Sequence, residues 1–137
     1  MYAGDVTPDK AYEALATDPD AVLVDVRTHP ELVYVGIPDL SGIGKRVVVV
    51  EWTTYSQREQ NDTFVNQLGE AGVDPSNPVY FICRSGWRSR GAAIVATAAG
   101  YTKAYNVGTG FEGSVDEHGH RGTANGWKAA GLPWRQG

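Results

Sequence analysis

Cys83 is the only cysteine among 137 residues, and the residues beside it are of the types that make a thiol reactive. The run Cys83-Arg84-Ser85-Gly86-Trp87-Arg88-Ser89 sets two arginines, two serines and a glycine in one short segment. Planar guanidinium forks suit oxyanions. Gly86 and the small Ser85 let the backbone curl until successive amides point inward, a nest for an anion. The thiolate is the nucleophilic form of cysteine, so charges and amides of this kind favour covalent chemistry at Cys83 over an inert buried thiol. A lone cysteine also excludes an internal disulfide and a zinc site of several thiolates.

A loop of this type works best where a strand delivers it and a helix leaves it. The helix N-terminus then adds unpaired N–H groups and a partial positive charge. Val79-Tyr80-Phe81-Ile82 is an apolar run of strand length directly before Cys83. The Ala-rich segment that follows predicts a helix ending near Ala99, with Gly100 just past the cap. Upstream, Thr7 can cap a helix, Pro8 suits its first turn and Asp9 favours its positive end. Apolar residues at Ala11, Tyr12, Ala14 and Leu15 keep helical spacing up to the turn Asp18-Pro19-Asp20.

Residues 21–26 predict a buried parallel strand, broken at Thr28-His29-Pro30, and 36–44 reads as mostly irregular. Residues 47–50 predict a second strand buried on both faces. Asp62 is placed to cap a helix from Thr63 to about Ala71, and 103–107 reads as one more short strand. A polar, glycine-rich loop spans 108–126, and a helical turn or two covers 127–130. Strands alternating with helices predict one α/β domain over residues 1–137 with a mainly parallel sheet. In such sheets, reactive groups gather at the carboxyl ends of strands, where Cys83 lies.

Twelve Lys and Arg against sixteen Asp and Glu give a net charge of −4. That disfavours a dedicated nucleic-acid binder, whose affinity rests on neutralising phosphates. No apolar stretch approaches the roughly 20 residues of a membrane-spanning helix. Met1-Tyr2-Ala3-Gly4-Asp5 has neither the basic start nor the apolar run of a secretory signal, so the expected location is cytoplasmic and away from membranes.

The segment 83–89 resembles the active-site loop of rhodanese-like domains, often seen as C-R-S-G-x-R-S. Val24-Asp25-Val26-Arg27 followed by Glu31 is similar to the family's early D-V-R…E segment. Gly126-Trp127-Lys128-Ala129-Ala130-Gly131-Leu132-Pro133 is similar to its closing G-W-x-x-A-G-L-P. The family's histidine in G-H-I-P-G-A has no counterpart in Val35-Gly36-Ile37-Pro38-Asp39-Leu40, and 108–126 is longer than in minimal members. The resemblance implies a three-layer α/β/α fold with a mainly parallel five-stranded sheet. It also implies a sulfurtransferase of the thiosulfate:cyanide type, which carries sulfur as a persulfide on Cys83 and needs no separate cofactor or metal.

Arg84, Ser85, Gly86, Trp87, Arg88 and Ser89 would then bind a small anionic sulfur donor. The acceptor must come from outside the chain: a thiol, cyanide or a partner protein. Cysteine phosphatases of the cell-cycle dual-specificity type and some arsenate reductases share this fold but resemble C-x5-R. Here Arg88 closes C-x4-R, and Ser89 stands where C-x5-R would need its arginine. The other alternative is a non-catalytic, regulatory rhodanese-like module that binds a protein.

Several other residues invite a role. Asp25, Arg27 and Glu31 read as a structural ion-pair network, and Arg90 as solvent-facing. Trp52 reads as core in preference to a place on the rim of the site, while Trp87 either props the loop or walls the site. His118 and His120, near Asp116 and Glu117, read as a solvated turn in preference to a metal site. The loop 108–126 leaves a strand on the Cys83 edge and is expected to cover the site and influence donor or acceptor selection.

Overall fold

The apolar runs pair side by side because their backbone groups, buried on both faces, have only one another to bond. The computed structural model describes residues 1–55 and 58–136. Its main sheet has five parallel strands in the order β1-β6-β5-β2-β4. These are β1 Gly4–Val6, β2 Val22–Asp25, β4 Val48–Val49, β5 Val79–Ile82 and β6 Ala104–Val107. The helices are α1 Pro8–Thr17, α2 His29–Val35, α3 Phe64–Glu70 and α4 Trp87–Ala98. A small antiparallel pair, β3 Ile37–Pro38 with β7 Trp134–Arg135, ties the chain's last segment to the end of α2.

Side chains alternate across each strand and so build two cores. Val79, Phe81 and Cys83 join Phe64 and Leu68 of α3 and Ala92, Ala93 and Ala96 of α4 on one face. Tyr80 and Ile82 join Ala11 and Leu15 of α1, together with Phe111 and Trp127, on the other. The small alanines let α4 lie close against the sheet, which brings its N-terminus to the end of β5. The three-layer α/β/α arrangement with a parallel five-stranded sheet, implied by the family resemblance, is present.

Several local expectations are revised. Thr28-His29-Pro30 starts a helix instead of ending structure, because Thr28 and Glu31 form a capping box and Pro30 sits in the first turn. Val49 is 44 % exposed, so residues 47–50 are not buried on both faces: β4 is the sheet's edge strand. Asn61, and not Asp62, serves the start of α3, its Oδ1 accepting from the N–H and hydroxyl of Thr63 at 3.1 and 2.9 Å. Strand β1 was not evident in Gly4-Asp5-Val6 and forms through its pairing with β6. Among the described residues, no helix is long and apolar enough to cross a membrane.

Candidate active site

Cys83 is 1 % exposed and sits one residue beyond β5, at the carboxyl edge of the sheet. Gly86, at φ +103°, turns the chain into α4. A side chain there would place its Cβ 2.0 Å from the Gly108 carbonyl oxygen, so the close approach as well as the positive φ requires glycine. The turn aims three donors at sulfur. Cys83 Sγ accepts from the Gly86 N–H at 3.2 Å, the Ser89 N–H at 3.4 Å and the Ser89 hydroxyl at 3.2 Å. Two of them are amides at the start of a twelve-residue helix, where the helix dipole adds its positive end.

The loop is braced by the segment after β6. The Phe111 N–H donates to the Cys83 carbonyl at 2.8 Å, and those of Glu112 and Gly113 donate to the Arg84 carbonyl at 2.9 and 3.1 Å. Gly110 permits this contact: at φ +70°, its Cβ would lie 2.5 Å from the Arg84 carbonyl oxygen. The first part of the 108–126 loop therefore holds the backbone of the Cys83 segment in place. Its outer part is closed by Asp116, whose carboxylate accepts from the N–H groups of His118 and His120 and from the Thr123 hydroxyl. Among the described residues, no three His, Cys, Asp or Glu side chains are grouped to hold a metal.

The two loop arginines have different settings. Arg84 is exposed and forms no salt bridge among the described residues. Arg88 grips Glu31 of α2 in a bidentate pair, at 2.7 and 2.9 Å, with both side chains 24 % exposed. Burial opposes ionisation of Glu31, but hydrogen bonds from Arg88 and Thr28 outweigh it and bring its carboxyl down to about 2. The same hydrogen bond raises the Arg88 guanidinium above its ordinary value, against the opposing effect of burial. Arg88 thus ties α2 to the loop, and only Arg84 has the unpaired charge expected of both.

Asp25 and Arg27 are fully buried and paired at 2.7 Å. Arg27 also donates to the Gly36 carbonyl at 2.8 Å and lies 4.3 Å over the Phe111 ring. Asp25 and Arg27 thus pair as expected, but Glu31, grouped with them from the sequence, binds Arg88 instead. Trp87 is 79 % exposed and walls an open groove of about 380 Å³ with Trp52, Thr53, Arg88, Arg90, Gly91 and Ile94. Trp52 serves both uses considered for it, packing edge-on against Phe64 at 5.3 Å while lining this groove. Arg90 is exposed, as expected, with its guanidinium 5.9 Å from the Tyr2 ring.

The sequence pattern around Cys83 does not single out one further polar residue at this edge. Asn106, 3 % exposed on β6, places Oδ1 2.6 Å from Ser89 Oγ, a second acceptor for that single hydroxyl hydrogen, and donates to the Gly86 carbonyl at 3.1 Å. A polar residue inside an otherwise apolar strand at the reactive edge is the signal that points to it.

A buried cysteine cradled between β5 and α4, at the carboxyl edge of this sheet, defines a rhodanese-like fold. The profile of the STR4 middle domain matches residues 3–137, and the chain belongs to that family. A crystal structure of Rv0390 from M. tuberculosis is 54% identical, covers 100% of both chains and superposes with a TM-score of 0.90. Uncharacterized protein RC0915 of Rickettsia conorii is 37% identical over 98% of this chain and 99% of its own length. Rhodanese-like domain-containing protein 4, chloroplastic, of Arabidopsis thaliana is 30% identical over 90% of this chain, a match spanning 24% of that protein. The polysulfide-sulfur transferase homodimer of Wolinella succinogenes shares the fold at 24% identity and a TM-score of 0.64, covering 97% of this chain and 78% of that one.

Proposed function

We propose that the protein is a sulfurtransferase that carries one sulfur atom on Cys83 as a persulfide. The observation that carries this reading is the convergence of three donors on Cys83 Sγ inside a loop of four intervening residues. Donors so placed stabilise a thiolate. The Cys83 thiolate attacks the outer sulfur of a donor such as thiosulfate. A new S–S bond forms, the donor's own S–S bond breaks, and sulfite leaves with the electron pair. Arg84 and the loop amides hold the anionic part of the donor, and Arg88 fixes the loop against Glu31. The chain has no second thiol, so the persulfide waits for an outside nucleophile, which approaches along the wall of Trp87.

The test is steady-state thiosulfate:cyanide transfer by the native protein and by Cys83→Ser. Thiocyanate production by the native protein and its loss in the variant, by a factor of at least about 10³ as for removal of a nucleophile, is the expected result. Full activity in Cys83→Ser, or hydrolysis of aryl phosphates in place of sulfur transfer, contradicts the proposal.

A further inference from the structure

The hydroxyl of Ser89 stands between two acceptors and has one hydrogen to give. Its Oγ lies 3.2 Å from Cys83 Sγ and 2.6 Å from Asn106 Oδ1. The Asn106 amide is oriented from behind, because Nδ2 donates to Asp5 Oδ1 at 3.0 Å and to the Gly86 carbonyl at 3.1 Å. A carbonyl only accepts, so the amide nitrogen faces Gly86 and the amide oxygen is left facing Ser89. Asp5 is held in turn by the Tyr2 hydroxyl at 2.8 Å. Cys83, Ser89 and Asn106 are all buried, so the two acceptors compete for the hydrogen with little help from solvent.

We infer that Asn106 is a positioning residue that parks the Ser89 hydrogen away from sulfur until the sulfur bears charge. This rests on the reading of Cys83 as the sulfur carrier. In the thiol, Sγ–H donates to Ser89 Oγ and the hydroxyl donates to Asn106 Oδ1, so every group is paired. In the thiolate, the hydroxyl turns to Sγ and leaves Asn106 Oδ1 without that donor. In the persulfide, Sγ is neutral and the hydrogen returns to Asn106.

Discharge then reverses the switch. A bond forms between the acceptor and the outer sulfur, the S–S bond breaks, and its electron pair goes to Cys83 Sγ. The Ser89 hydrogen turns to sulfur as that charge appears. Its stabilisation is therefore given to the transition state more than to the resting persulfide.

Carbon-13 NMR of the Asn106 side-chain carbonyl in the native protein tests this directly. The resonance moves as rising pH ionises Cys83, and the movement falls by more than half in Ser89→Ala. The charged groups around the cluster, Arg88 on α4 with Asp25 of β2 behind it and Asp5 on β1, are the same in both proteins. A resonance that stays fixed in the native protein, or moves as far in Ser89→Ala, overturns the inference.

The pH profile of Cys83 alkylation by iodoacetamide gives a second reading. Ser89→Ala moves the profile up and Asn106→Ala moves it down, each by about half to one pH unit, and the double variant matches Ser89→Ala. If Asn106 serves folding alone, its substitution acts the same with or without the Ser89 hydroxyl, and that result also overturns the inference. Should Asn106→Ala not fold, the resonance decides. Neither measurement uses a sulfur donor, so failure here leaves sulfur loading standing, and failure of loading leaves these results readable.

Discussion

A single sulfur atom receives two amides and a hydroxyl, and each donor comes from a residue whose type could be read in the sequence. Gly86 and Ser89 were legible because their small size next to Cys83 has few other uses. The partition of the arginines was not legible. Arg88 meets Glu31 across 57 positions of chain, and pairing at that separation leaves no local pattern. Trp87 illustrates the opposite case, an aromatic residue whose loop position was clear but whose exposure required the fold. Because it is 79 % exposed, Trp87→Ala is expected to change stability by less than about 0.5 kcal/mol. With Cys83 still able to take up sulfur, the variant raises the Michaelis constant for the acceptor. Thermal melts and acceptor kinetics on the same sample check both halves.

Elements place these residues, and those with strong internal patterns were the easiest to foresee. Strands β2 and β5 are continuous apolar runs, while α1 carries a cap, a proline and regular spacing. Strand β1 has three residues, including glycine and aspartate, so its strand character comes from β6 and not from propensity. Helix α2 was hidden because Pro30 reads as a breaker until its place in the first turn is known. The brace after β6 depends on Gly110, and Gly110→Ala is expected to cost about 1–3 kcal/mol and to displace the Cys83 loop. Denaturant unfolding and thiosulfate loading of that variant measure the two effects.

Helix α2 and the Cys83 loop are joined by Glu31 and Arg88, and this bond has a pH signature. The Glu31 carboxyl falls from an ordinary value of 4.5 to about 2 in the folded protein. Its contribution is fully present above pH 4.5 and is lost as pH falls through about 2. Glu31→Gln is therefore expected to lower stability at pH 7 by about 1–3 kcal/mol and to narrow that difference toward pH 2. Urea titrations across this range give the test.

For the molecule as a whole, the fold delivers the Cys83 sulfur to a place that is enclosed yet one loop away from solvent. The parallel sheet and its two cores make the carboxyl edge, and the buried Asp25–Arg27 pair joins that edge to α2 and Phe111. Breaking one partner of a buried pair leaves an uncompensated charge, so Asp25→Asn is expected to cost about 3–5 kcal/mol and to lower the melting temperature. Calorimetry of that variant measures it; a melting temperature equal to the native one contradicts the structural role. Uptake of sulfur by Cys83 is read from intact mass after incubation with thiosulfate and removal of excess reagent. A sulfur carrier gains one sulfur atom, absent from Cys83→Ser and reversed by cyanide. An unchanged mass of the native protein, or an equal gain in Cys83→Ser, contradicts it.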